Sequence, residues 1–273
     1  MRSPTTSPPR RVRFWVLLLL GLYHHLYAAT DTIQIRLGGI KDKQILEQVL
    51  ASLSLEQQKN HPRLSASRIQ RLHKQASAEI QRALQPYGYY RVQVSPELMP
   101  PSVGQLVWQA KYIIDLGAPL KLSTVAIQIL GEGGPDPEFQ KLLTNLPVKV
   151  GDTVNHSNYE KSKSLLREIA EERGYFEAQF TKHQLLIEER AYTASIELTF
   201  DTNQRYRFGE VTFKQDLFEE SLLRRFLVFQ PGDFYTSSQL LAFQNALTNS
   251  DYFDKVEIEM VRSSPTSEKR LPI

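Results

Sequence analysis

A pattern that returns three times along the 273 residues constrains the fold more than any other feature. Gly88-Tyr89-Tyr90, Gly174-Tyr175-Phe176 and Asp251-Tyr252-Phe253 each put a turn residue before an aromatic pair, at intervals of 86 and 77 residues. An amphipathic stretch precedes every copy. In the first, Ile69, Leu72, Ala76, Ile80, Ala83 and Leu84 fall on one stripe of an α-helix. Tyr159, Leu166 and Ile169 share a face in the second, and Leu240, Phe243 and Leu247 do so in the third. Three diverged copies of one small module are therefore expected, each with its own core.

Local signals fix the phase of the module. Ser157 with Glu160, and Thr236 with Gln239, have the spacing of a capping box, in which each side chain satisfies a free backbone N–H of the first helical turn. Gly151-Asp152 and Gly232-Asp233 punctuate the chain just upstream. The interval from Gly-Asp to the aromatic pair is 23 residues in one copy and 19 in the next, and the sequence does not place the difference. Ile196, Leu198 and Phe200 alternate with polar residues, as a half-buried strand requires; Val125, Ile127 and Ile129 alternate likewise, as do Ile33 and Ile35, Val211 and Phe213, and Val256 and Ile258. Shorter helical segments fit around 41–53, 137–145 and 218–227. The reading is an α+β chain of three tandem β-α-α-β-β units of about 80 residues each, with helices on one face of a small sheet. The boundaries are 30–116, 117–203 and 204–273.

The first 29 residues read differently. Arg2, Arg10, Arg11 and Arg13 precede an apolar run from Phe14 to Tyr23, followed by Ala28 and Ala29. The run is shorter than the ~20 apolar residues that span a bilayer, so 1–29 is expected to be a secretory signal peptide, with an uncleaved signal anchor as the alternative because Leu26 or Tyr27 would sit where a small residue is usual before the cut. Losing four arginines turns the formal charge of +3 into −1, which removes the electrostatic case for nucleic acid. The absence of cysteine excludes disulfides, thiolate zinc sites and Cys nucleophiles, and suits a chain that crosses an oxidising compartment.

A β-α-α-β-β unit whose second helix runs into Gly-Tyr-Phe resembles the POTRA domain, the polypeptide-transport-associated module of outer-membrane assembly factors. Residues 156–166, Gly174-Tyr175-Phe176-Glu177-Ala178 and 205–211 narrow the likeness to TamA-like subunits of the translocation and assembly module, in the Omp85 superfamily. The run 247–256 is a form shared across that superfamily. The resemblance covers about 32–273 and implies a periplasmic arm, at the outer membrane of a Gram-negative bacterium, with a TamB-like inner-membrane partner and unfolded outer-membrane protein or autotransporter clients. It also implies a transmembrane β-barrel, for which the sequence holds no strands, so the third unit is expected to be incomplete and the chain a fragment, or else to be served by a barrel on another chain.

Chemistry-bearing residues give no rival pattern. His24, His25, His61, His73, His156 and His183 have no ligand spacing, the cluster Gly131–Asp136 lacks the Lys of a phosphate loop, and Glu171 and Glu172 sit on a polar helix side, so neither an enzyme nor a cofactor is expected. The aromatic pairs read as core packing. The group Arg205, Tyr206, Arg207, Phe208 and Gly209 admits two readings: a junction strand with its arginines in water, or a contact that fixes the angle between repeats. Where the family resemblance makes the second strand of each unit an edge, at about 89–94, 176–181 and 253–260, unpaired N–H and C=O groups could capture extended chains. The partner-binding edge is therefore expected at Phe176, Glu177, Ala178, Gln179, Phe180 and Thr181. A stand-alone periplasmic scaffold without a barrel is the alternative.

Overall fold

A computed structural model describes residues 31–103, 107–261 and 269–273; the leader expected at 1–29 lies outside them. Three sheets follow one another along the chain, each with its own buried cluster. The first unit holds β1 (Ile33–Gly38), α1 (Lys43–Ser52), α2 (Ser54–Gln58), α3 (Ala66–Leu84), β2 (Gln93–Met99) and β3 (Trp108–Asp115). The second holds β4 (Lys121–Leu130), α4 (Pro137–Asn145), α5 (His156–Glu172), β5 (Gln179–Glu188) and β6 (Thr193–Asp201). The third holds β7 (Arg207–Phe208), α6 (Glu220–Leu223), α7 (Ser237–Thr248) and β8 (Arg270–Leu271). The architecture is the expected α+β arrangement.

In every unit the last strand is inserted beside the first and runs parallel to it. The orders are β1-β3-β2 and β4-β6-β5, with β2 and β5 antiparallel to their central neighbours, and β7 pairs with β8 in parallel. The central strands carry the cores, because only they are hydrogen-bonded on both margins while one face meets the helices. Trp108, Ala110, Tyr112 and Ile114 of β3, and Ala194, Ile196, Leu198 and Phe200 of β6, are all buried. At about 2 kcal/mol for each large side chain removed from water, this alternation is the main drive to close a unit. The stripe of α3 meets it from above through Ile69, Leu72, Ala76, Ile80 and Leu84.

Several details differ from the sequence reading. Helix α5 is capped not by Ser157 but by Asn155, whose Oδ1 accepts from the N–H groups of Ser157 and Asn158, because the helix already starts at His156. Thr236 does cap α7, accepting from the Gln239 N–H. The unplaced residues lie in the helix itself, since α5 has 17 residues and α7 has 12. Around 211–213 and 256–258 the alternating residues form no assigned strand; a strand needs a ladder partner, and β8 supplies two residues. Val256 and Ile258 are accordingly only partly buried, where Ile196 and Leu198 are fully so.

Candidate functional site

Both inter-unit junctions are built on the same backbone scheme, and the recurrent glycines are its pivots. Gly88 and Gly174 sit in the left-handed region, at φ +84° and +82°. The Gly88 carbonyl accepts from the Leu120 N–H at 2.8 Å, and the Gly174 carbonyl accepts from the Tyr206 N–H at 2.9 Å, so the end of one unit's helix holds the start of the next unit's first strand. That segment in turn pairs with the chain before the next helix: Val154 N–H with Leu120 C=O in one case, Tyr235 N–H with Tyr206 C=O in the other. The approach leaves no room for a side chain. A Cβ on Gly88 would lie 2.6 Å from the Val154 carbonyl oxygen, and one on Gly174 would lie 2.9 Å from the Tyr235 Cβ.

The first two aromatic pairs pack against hydrophobic cores, as read from the sequence, and divide that labour across the joint. Tyr89 packs in the first cluster and Tyr90 in the second; Tyr175 packs in the second and Phe176 in the third. Phe176 meets the rings of Tyr206 and Tyr235 edge-on at 5.5 and 5.0 Å. The first ring closes its own unit while the second docks on the next one.

Side chains then separate the two joints. Around the first, the Tyr90 hydroxyl lies 3.3 Å from His156 Nε2, and the Arg91 guanidinium stacks on the Tyr192 ring at 3.8 Å. Around the second, a buried polar network forms. Asp136, whose side chain is 4% exposed, caps α4 through the Glu138 N–H. It also accepts from Arg173 Nε at 2.7 Å and from the Tyr175 hydroxyl at 3.0 Å. Burial pushes the Asp136 carboxyl up, but the hydrogen bonds from Arg173, Glu138 and Tyr175 outweigh it and hold the group below its ordinary value. Burial and the bond to Asp136 push Tyr175 up to about 12.

Arg205 carries this network across the joint. Its Nε donates to the Arg173 carbonyl at 2.7 Å, its second terminal nitrogen donates to the Tyr235 carbonyl at 3.2 Å, and its backbone N–H donates to the Glu132 carboxylate at 2.9 Å. One terminal nitrogen stands 3.8 Å from Asp136. Burial, then the nearby Arg173, lowers its pKa. Within 205–209 the contacts that cross the joint come from Arg205 and Tyr206, whereas Arg207 donates to the Gly232 carbonyl and stacks on Phe234, Gly209 pairs with Leu271, and Phe208 is buried, all inside the third unit. Only Arg205 of the two arginines joins the acidic network.

The six residues expected along an open edge do not lie on one element. Strand β5 begins at Gln179, so Phe176, Glu177 and Ala178 precede it in a turn. Phe176 is spent on the joint, and Glu177 accepts from Lys269 Nζ at 2.6 Å and from the Tyr206 hydroxyl at 2.9 Å, which hold its carboxyl low. Gln179 and Phe180 do pair with β6, and Thr181 sits at a register shift between Phe180 and Lys182. The usable edge continues instead to Glu188, with Leu186 and Ile187 47% and 37% exposed. Strand β2 is the equivalent edge of the first unit, but Pro96 deprives it of one N–H. Sequence reasoning missed Asp136, Arg173, Tyr235 and Lys269. An Asp before the Pro of a helix start announces a cap, yet nothing in the chain order announces that its second oxygen is buried beneath two arginines.

Among the described residues no group of three or more His, Asp or Glu side chains could hold a metal ion, and no helix is long and apolar enough to cross a membrane. Family models match nearly the whole described chain: POTRA domain TamA domain 1 over 34–116, and the POTRA model described as surface antigen variable number repeat over 125–204 and 206–273. Similar solved structures include POTRA3-5 of BamA from Haemophilus influenzae, at 16% identity and TM-score 0.42, covering 89% of this chain and 94% of that one. POTRA1-3 of Omp85 from Anabaena matches at 15% identity and TM-score 0.33, covering 89% and 92%. The N-terminal domain of Omp85 from Thermosynechococcus elongatus matches at 14% and 0.32, covering 89% and 93%.

Proposed function

Because this chain belongs to the POTRA domain family, we propose that it is a periplasmic arm of the TamA and Omp85 type, part of a protein involved in outer-membrane protein assembly, and that it binds extended client segments by β-augmentation. The observation that carries the reading is β5. It is a ten-residue strand that among the described residues pairs with β6 on one margin only, free of proline, with apolar side chains exposed near its end. Main-chain hydrogen bonds along such a margin tolerate varied client sequences, and Leu186 and Ile187 add apolar contact. The three units, at 30–116, 117–203 and 204–273, would act as a linear array exported by the segment 1–29. A TamB-like protein is the inner-membrane partner this arm would meet.

Proline substitution tests it. In an antiparallel edge, consecutive N–H groups point alternately to the neighbour and outward, so of Leu185→Pro and Leu186→Pro one removes an outward donor and leaves the β5 to β6 ladder intact. The variant that keeps native circular dichroism should lose binding to an unfolded outer-membrane barrel protein diluted from urea, as should Gln179→Pro if it folds. Unchanged binding by a folded proline variant of β5 would overturn augmentation at this strand.

A further inference from the structure

The solvent side of α3 carries charge of one sign. At about 100° per residue, Arg71, Lys74, Ala78 and Arg82 line the side opposite the buried stripe of Ile69, Leu72, Ala76 and Ile80, and all four are exposed. From Arg71 to Arg82 the row is about 16 Å long. The one acid of the helix is turned away, since the carboxylate of Glu79 accepts from the Ser54 N–H at 2.9 Å and from the Ser54 hydroxyl at 2.6 Å. Among the described residues none of Arg71, Lys74 and Arg82 enters an ion pair. Arg71 and Lys74 repel each other at three-residue spacing, and no acid on that side offsets it. The equivalent helices are built otherwise. Helix α5 mixes Glu160, Glu168, Glu171 and Glu172 with Lys161, Lys163 and Arg167, and Glu160 pairs with Lys163 at 2.8 Å. Helix α7 has no charged residue. Whole units repeat the contrast: 30–116 hold eleven Lys and Arg against seven Asp and Glu, a formal +4, while 117–203 hold nine against thirteen, a formal −4.

We propose that the α3 face of the first unit docks on an anionic bilayer surface, with Arg71, Lys74 and Arg82 against the lipid phosphates. Charge complementarity selects an anionic partner, and two further observations select a lipid surface over an acidic protein. Among residues 31–102 no large hydrophobic side chain is exposed, so the face lacks the apolar anchors on which protein interfaces depend. The apolar stripe of α3 is consumed by the core, so the helix cannot insert among acyl chains and the contact is peripheral and electrostatic. Each Lys or Arg at such a surface strengthens binding about fivefold. The same surface repels the acidic second unit, so the first unit meets it with α3 foremost. Strand β5 takes no part in this contact, and loss of either function leaves the other intact.

The chain has no cysteine, so one nitroxide can be placed at Ala78→Cys, in the middle of the row, on the full 273-residue protein. Vesicles of equal parts phosphatidylglycerol and phosphatidylcholine, doped with a nickel-chelating lipid, should relax this label. Phosphatidylcholine vesicles with the same dopant should not, and a label at the exposed Ser164→Cys of α5 should be relaxed several-fold less. Arg71→Gln, Lys74→Gln and Arg82→Gln together should lower the equilibrium constant for contact about a hundredfold, fivefold for each. Lys141→Gln, Lys149→Gln and Lys161→Gln remove the same charge from exposed positions of the second unit and should change it less than about twofold. Arg2, Arg10, Arg11 and Arg13 are common to every variant. Equal relaxation by both vesicles, equal relaxation of both labels, an unaltered α3 variant or an equal loss in the second-unit variant would each overturn the proposal. So would full displacement from the vesicles by polyglutamate at equal charge, which would assign the face to an acidic protein segment.

Discussion

At both joints a left-handed glycine gives its carbonyl to the next unit's first strand, yet the side chains around Gly88 and Gly174 do different work. The first joint relies on a tyrosine–histidine contact and a stacked arginine near the surface. The second is bolted by Asp136, Arg173 and Arg205, with Glu177 and Lys269 closing the far side. Backbone hydrogen bonds set where two units touch, but a pair of carbonyl contacts leaves rotation about the joint soft. A guanidinium that bonds simultaneously to residues of both units, in a planar fork, removes that freedom. The comparison teaches that the repeat supplies a hinge and that individual side chains decide whether it is locked. The second joint should behave as a rigid elbow and the first as a flexible one.

The most severe way to break the contrast is Asp136→Ala. It strips the cap of α4 and leaves Arg173 and the Tyr175 hydroxyl facing a buried hole, for an expected loss of about 3 kcal/mol in denaturant unfolding of the second unit. Next comes Gly88→Ala, at about 2 kcal/mol, because left-handed backbone costs a residue with a Cβ about 1–2 kcal/mol and the new methyl meets a backbone oxygen that cannot move aside. Gly174→Ala should cost slightly less, about 1.5 kcal/mol, because the new methyl would meet the Tyr235 Cβ at 2.9 Å rather than a backbone oxygen at 2.6 Å. Equal losses at the two glycines would show that strain alone, not the close approach, sets the penalty.

Arg205→Lys sharpens the comparison at about 1 kcal/mol. It keeps the charge but cannot bond the Arg173 and Tyr235 carbonyls together. Spin labels on α4 and α7 should report a broadened distance distribution across the second joint, and labels on α3 and α5 an unchanged one across the first. The smallest effect is that of pH. Asp136 is held below its ordinary value of 3.8, so its stabilisation is fully present above that value and is lost as the pH falls through the lower folded one. Acidification from pH 5 to 2 should broaden the second joint's distribution, and Asp136→Asn should flatten that response. A response confined to the first joint would refute the network's role.

Much of this was legible in the chain. The stripe of α3, the alternation of β6, the Thr236 cap and the Gly-Asp turns each follow from neighbours in sequence, where helix and strand periods act directly. The Gly-Asp turns serve as read: Asp152 and Asp233 each accept the N–H three residues back, from Lys149 and Gln230. Placement on the wrong element occurred where tertiary partners outbid local ones. Phe176 and Glu177 follow a helix in a stretch that reads as strand, but the next unit offers Tyr206, Tyr235 and Lys269, so the strand starts three residues later.

The sequence by itself determined that there are three units, what each is made of, and where its core faces lie, because hydrophobic periodicity and turn chemistry are properties of short windows. Only the tertiary structure decided which edge is open, which arginine is buried and how one unit grips the next. Those depend on residues some 30 to 90 positions apart, such as Arg205 with Arg173 and Lys269 with Glu177, and on whether a strand finds its neighbours. No local pattern encodes a hydrogen bond whose two halves belong to different repeats.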